Sequence, residues 1–267
     1  MTFFNTSPAL AAFNLIFVAA AANGQDWRHI RPQIQSEVIK LQQADAQAVL
    51  SEFCEGKVNQ VPKIGLECST RPLGPAFADL GDQTFHPEAI IYGHFLSATS
   101  EDAAVSGWNM EAHPALWRGT LMLTRKAGKW TPLWYKSSVI TRACRKISMP
   151  AGREILLCEE EDGGMGWQYH YLYAVDALHP KDIRNAPLVV AGSFSDGCTV
   201  RKQVIQLVAW DAAQHQLLVT LGTPEWSYDR NARCDGMRLS DQDKRPPKTA
   251  IMMFALTDTG FRVAPRP

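Results

Sequence analysis

Residues 119–176 read GTLMLTRKAGKWTPLWYKSSVITRACRKISMPAGREILLCEEEDGGMGWQYHYLYAVD, and the fold is decided here. Leu121 and Leu123 lead into the turn Lys126-Ala127-Gly128, and Trp130, Leu133 and Tyr135 lead out of it. A second arm, Val139 to Ile147, meets Pro150-Ala151-Gly152 and returns as Glu154 to Glu160, and Tyr169 to Asp176 supplies one more strand. Five short apolar runs punctuated by Gly and Pro are the pattern of consecutive antiparallel strands. The fold class expected is therefore all-β and antiparallel. No catalytic motif lies on the stretch.

Two cysteines in it predict a covalent register. If Met149 faces Arg153 across the turn, paired residues sum to 302, and so do Cys144 and Cys158. Directly opposed residues on one face of a hairpin bring their Cβ atoms to roughly 4.5–5.5 Å, close to what a disulfide needs. The other cysteines, Cys54 with Cys68 and Cys198 with Cys234, are expected to pair in sequence order, although six cysteines allow fifteen pairings.

The N-terminus suggests why the cysteines oxidise. Residues 8–22 form a short apolar run, with Ala22 and Gly24 placed as the small residues of a signal-peptide cleavage site, although no Lys or Arg precedes the run. The expected divisions are a signal peptide over 1–24, a helical cover segment over 25–68 with a Cys54–Cys68 clip, and an antiparallel β domain over 69–267. The expected location is secreted or periplasmic, with no membrane span because the apolar run is too short. Lys plus Arg and Asp plus Glu both number 27. A balanced chain without a basic block argues against nucleic acid as a partner.

Upstream, Ile30, Ile34, Val38, Leu41, Ala44, Ala48 and Val49 recur at helical spacing, which predicts a helix from Asp26 to about Glu55 that covers a sheet edge. Downstream, Val200–Trp210 and Leu217–Leu221 read as a hairpin, and Ile251–Leu256 with Phe261–Val263 as another. Strand ends recur before polar turns at 121–124, 173–176, 208–211 and 254–257, which favours a β-propeller-like arrangement, with a two-sheet sandwich as the alternative. The segment IIYGHFLSATSEDAAVSG, with Gly93, Phe95, Asp102 and Val105, resembles an FG-GAP-type blade of integrin-like β-propellers, and AGSFSDG at 191–197 echoes its opening. The resemblance implies a propeller fold. It implies no calcium site, because Leu96, Ser97 and Ala98 stand where that family carries its Asp-x-Asp-x-Asp loop.

The most conspicuous polar cluster is Glu159-Glu160-Glu161-Asp162, followed by Gly163-Gly164 and Trp167. Alternation puts Glu159 and Glu161 on one strand face and Glu160 on the other. Glu159, Glu161, Asp162 and Trp167 are the candidate ligand-binding residues. No cofactor or metal is assigned, although three carboxylates with loop carbonyls suit a hard cation such as calcium. Trp108, Trp117, Trp167, Tyr169 and Tyr171 form a candidate stacking set. The histidines His94, His113, His170 and His215 show no metal-ligand spacing, and G-x-S-x-G, P-loop and C-x-x-C patterns are absent. The expectation is an exported, disulfide-stabilised β domain that binds a small molecule, glycan or protein partner without catalysis. A secreted hydrolase acting on carbohydrate, with carboxylates such as Glu160 and Asp162, is the first alternative. A structural envelope protein is the second.

Overall fold

A computed structural model describes residues 34–71, 73–80, 84–109, 118–164, 167–181, 186–196, 199–223, 225–227 and 248–264. The proposed signal peptide and both members of the proposed Cys198–Cys234 pair lie outside the described residues. Three antiparallel sheets are formed. The first contains β1 (Ile39–Lys40), β2 (Cys54–Val61), β3 (Gly65–Thr70), β4 (Thr84–Gly93), β5 (Asp102–Asn109), β6 (Arg118–Lys126) and β7 (Lys129–Ser137); β2 to β7 follow in chain order and β1 pairs with β4. The second runs from β8 (Cys144–Ser148) through β9 (Glu154–Gly164), β10 (Trp167–Val175), β11 (Val189–Asp196) and β12 (Thr199–Lys202) to β15 (Glu225–Ser227). The third joins β13 (Val204–Asp211), β14 (Gln216–Thr223), β16 (Lys248–Thr257) and β17 (Gly260–Val263).

Alternation along these strands builds three stacked cores. On one face of the first sheet Ile90, Ala103, Val105, Leu121, Leu123 and Tyr135 pack with Phe53, Val58 and Leu66, so the two ends of the sheet share one core and the sheet curls into a half-barrel. A helix α1 (Gln43–Val49) and a 3-10 turn (Pro75–Leu80) supply Ala46, Val49 and Leu80 to the same core. The opposite face, with Ile91, Ala104 and Met122, packs on Leu156, Cys158, Tyr173 and Val175 of the second sheet. The second sheet's other face, with Leu157, Leu172 and Ala191, meets Leu217, Val219 and Phe254 of the third. The second sheet is thus apolar on both sides, which is why its strands read as near-continuous hydrophobic runs. Among the described residues no sheet closes on itself, and no helix is long and apolar enough to cross a membrane.

The hairpin register is as the cysteine arithmetic requires. Cys144 faces Cys158, Met149 N–H donates to the Arg153 carbonyl at 2.8 Å, and the two cysteines are bonded with their Cα atoms 4.1 Å apart. Cys54 and Cys68 are also bonded, as diagonal neighbours across β2 and β3, since Cys54 itself faces Thr70. Arg153, at the end of the same turn, forks onto the Asp176 carboxylate with contacts of 2.8 and 2.9 Å and ties the turn to the end of β10.

The long helix expected from the 26–55 periodicity is corrected. Within the described part of that span, only Gln43–Val49 is helical. Glu37 N–H donates to the Cys144 carbonyl at 2.8 Å, and Ile39 and Lys40 pair with Ile90 and Ala89 of β4. Two unsatisfied strand edges capture residues 37–40 and hold them extended, overriding a local preference that is weak over so few residues. The segment does cover an edge, but by pairing with it.

Candidate functional site

One edge of β4 is shared by two strands. β3 pairs at Thr84 and Phe85, and β1 pairs at Ala89 and Ile90. Between them lie His86, Pro87 and Glu88; the proline lacks an N–H, and a bulge falls between Pro87 and Ala89. There the strands part around a cleft of about 530 Å³, walled by residues 38–42 on one side and by Gln60, Ile64, Gly65 and Leu66 on the other. Ile39 and Ile64 stand at its lips, 54% and 45% exposed.

The wall of the cleft is set by cross-strand register. His86 faces Trp108 on β5, and Trp108 faces Arg118 on β6, so the three form a row on one face of the first sheet. The His86 and Trp108 rings stack at 3.8 Å with 13° between their planes. The next row in the ladder puts Gly107 beside Gly119. A side chain at either glycine would strike the buried Phe85 or Tyr135 ring on the opposite face, which is why the row beside the cleft is flanked by two glycines.

His86 is buried, and neither ring nitrogen finds a hydrogen bond of good geometry among the described residues. Burial lowers its pKa, while Glu67, whose carboxylate lies 3.8 Å from Nδ1, the Leu66 backbone and Glu88 pull it upward. Beside it, Arg142 Nε lies 3.4 Å from the Glu88 carboxylate, and both residues line the cleft. His86, Glu88 and Arg142 therefore meet in the cleft, with Lys40, Gln42 and Gln60 also in its lining and Ile39 and Ile64 at its lips.

Glu160 lies behind Arg142. It is buried, and Arg118 Nη1 approaches its carboxylate at 4.0 Å. Burial raises its pKa to about 7, against the pull of Arg142 and Arg118, with Asp162 and Glu161 adding to the rise. The folded state thus holds this proton more tightly than the unfolded chain does. Stability is fullest below the ordinary carboxylate pKa and declines as pH rises through about 7. Urea unfolding of the wild type is expected to show a loss on the order of 2 kcal/mol between pH 5 and pH 8 that Glu160→Gln lacks. An unchanged pH slope in the variant would refute this assignment.

The candidate residues chosen from sequence do not converge on one site. Glu159 and Glu161 do share a face, but Glu159 is buried with its carboxylate 3.7 Å from His170 Nε2, whereas Glu161 is exposed. Asp162 is half-buried opposite Tyr169, and Trp167 opens β10 opposite Gly164. Among the described residues, no group of three or more His, Cys, Asp or Glu side chains is placed to hold a metal ion. Of the stacking set, Trp108 is the member found in the cleft. Tyr169 and Tyr171 lie together with ring centres 6.0 Å apart on the second sheet, and Trp117 lies outside the described residues. His86, Glu88 and Arg142 carried no sequence signal, because what unites them is strand register and a gap at Pro87.

No protein-family model, curated protein or solved structure matches this chain.

Proposed function

We propose that this chain is an exported, disulfide-stabilised β domain that binds a small ligand in the β4 cleft without catalysis. The observation that carries this reading is the meeting of the stacked His86–Trp108 pair and the Arg142–Glu88 pair in one cleft with apolar lips. A concave site that sets convergent polar groups beside apolar side chains is the usual form of a small-molecule site, and this cleft is lined about equally by both. Two buried disulfides support the exported part of the reading, since such bonds persist in oxidising compartments. Intact-mass analysis of the secreted protein tests it: a start at Gln25 is expected, and an uncleaved chain with free thiols would overturn it. The propeller-like, FG-GAP-type architecture is supported only by the succession of meandering sheets packed face to face.

The binding role is tested by titrating the full chain with a panel of small amphipathic molecules and following tryptophan fluorescence. Trp108→Ala is expected to weaken any ligand of the cleft by about tenfold or more, since it removes the largest contact surface on the wall. Binding that is indifferent to Trp108→Ala would move the site elsewhere. The end of the β9–β10 hairpin, with Glu161, Asp162 and Trp167, is the next surface to try, and Trp167→Ala is its variant.

A further inference from the structure

We propose that the β4 cleft is a carboxylate site: Arg142 takes the carboxylate of an amphipathic acid, and Glu160 is the internal carboxylate that competes for the same guanidinium. This rests on the cleft's being a ligand site and names the ligand class.

The geometry starts from the disulfide. Cys144 faces Cys158 at the formal end of the β8–β9 ladder, but Glu159 N–H still donates to the Ala143 carbonyl at 2.9 Å. The register therefore continues one step, to Ala143 and Glu159, and Arg142 and Glu160 are the next residues along the two chains, close enough for the guanidinium to act on the Glu160 carboxylate. Glu160 stands on the face of β9 that carries the bridge. Arg142 lines the cleft with its guanidinium 3.4 Å from Glu88, and Arg118 reaches Glu160 from the facing sheet at 4.0 Å. Arg142 thus pairs with Glu88 in the cleft and also acts on the charge of Glu160.

Shape and charge select the ligand. With Glu160 protonated, Arg118, Arg142 and Lys40 oppose Glu88 alone, so the cleft carries positive charge for an anion. A planar carboxylate matches the guanidinium fork. A phosphate dianion would carry a second charge toward Glu88. Ile39, Leu41, Ile64 and Leu66 line the same cleft and suit an apolar tail.

The competition makes binding proton-linked. The groups facing Glu160 are Arg118 from β6, Arg142 from the segment before β8, Tyr173 from β10, and Glu161 and Asp162 along β9. Burial holds the Glu160 carboxyl at about 7. Once protonated, it no longer neutralises Arg142, and the guanidinium is free for the ligand. An aliphatic acid stays ionised from pH 6 to 8, so the titration in that window belongs to the protein.

The test is calorimetric titration of the full chain with octanoate at pH 6, 7 and 8, with octanol and inorganic phosphate as comparison probes. Octanoate is expected to bind about five- to tenfold more tightly at pH 6 than at pH 8, the size of effect that linkage to one group allows. Glu160→Gln is expected to bind equally tightly at both pH values, and Arg142→Ala to lose the preference for octanoate over octanol. If Glu160→Gln does not fold, wild-type titrations in two buffers of different ionisation enthalpy serve instead: net proton uptake at pH 7 supports the proposal, and none overturns it. Octanol or phosphate binding as well as octanoate, or an unchanged pH slope in Glu160→Gln, would also overturn it. Octanol binding abolished by Trp108→Ala would sink the carboxylate assignment yet leave the cleft as a ligand site, whereas insensitivity of every probe to Trp108→Ala would sink both.

Discussion

Phe85→Ala is expected to lower the unfolding free energy by about 3–5 kcal/mol, the range for emptying a large aromatic site in a core that relaxes only partly. Phe85 is fully buried in the half-barrel, edge-on to Phe53 at 5.4 Å and to Tyr135 at 5.9 Å. Its ring lies over Gly107 so closely that a Cβ there would come within 2.4 Å of it. A glycine floor has no side chain that can swing into the vacated space, so the cavity should persist. Urea unfolding would measure the loss, and a change under about 1 kcal/mol would show that the sheet collapses around the gap. Gly107→Ala supplies a cross-check. It should destabilise the wild type by overpacking and cost less in the Phe85→Ala background. A Cβ at Gly107 would also come within 2.6 Å of the His86 carbonyl oxygen, so part of the penalty should remain. Because His86 and Trp108 are the next residues along these strands, Phe85→Ala should also weaken binding in the cleft.

Replacing both cysteines of the hairpin, Cys144→Ala with Cys158→Ala, is expected to cost about 3 kcal/mol, the loop-entropy value for a ring of this size. Alanine is the suitable replacement because both positions are fully buried between the first and second sheets, where a serine hydroxyl would need a partner. The bridge closes a 14-residue separation, as does Cys54–Cys68, so chain entropy alone ranks the two alike. They differ in what they position. The hairpin bridge stands two residues from Arg142 and from Glu160, and its removal should loosen their placement and bring the pH-dependent loss of stability down toward the ordinary carboxylate range. Unfolding curves at pH 5 and pH 8 for the double variant would read both effects. Equal stability with and without the bridge would mean that packing alone holds the hairpin.

Local chemistry made much of the fold legible. Period-two alternation and Gly or Pro turns located β6 to β10, and at Lys126-Ala127-Gly128 two successive residues do take positive φ, 49° at Ala127 and 80° at Gly128, as a tight hairpin requires. Cysteine spacing located one bridge because a hairpin register is integer arithmetic over a few residues. The same local logic failed at residues 34–42. Their helical spacing was real, but two open strand edges distant in sequence offered backbone partners that a seven-residue helix could not match.

The candidate site divides in the same way. From the sequence alone come an antiparallel β class, a covalent hairpin, an acidic strand end and Trp167 as the candidate aromatic contact for a ligand. Only the tertiary structure decided that Trp108 stacks on His86 in the cleft and that Glu160 is approached by Arg118 and acted on by the charge of Arg142. Alternation assigns faces, but it does not say what covers each face. Glu159 and Glu160 point opposite ways and are both buried, because the second sheet is packed on both sides. His86 and Glu88 come from β4 and Arg142 from the segment before β8, more than fifty residues away, and neither composition nor spacing records that distance closing. It closes because β4 carries a proline and a bulge where two other strands would otherwise meet, and the gap between them becomes the cleft.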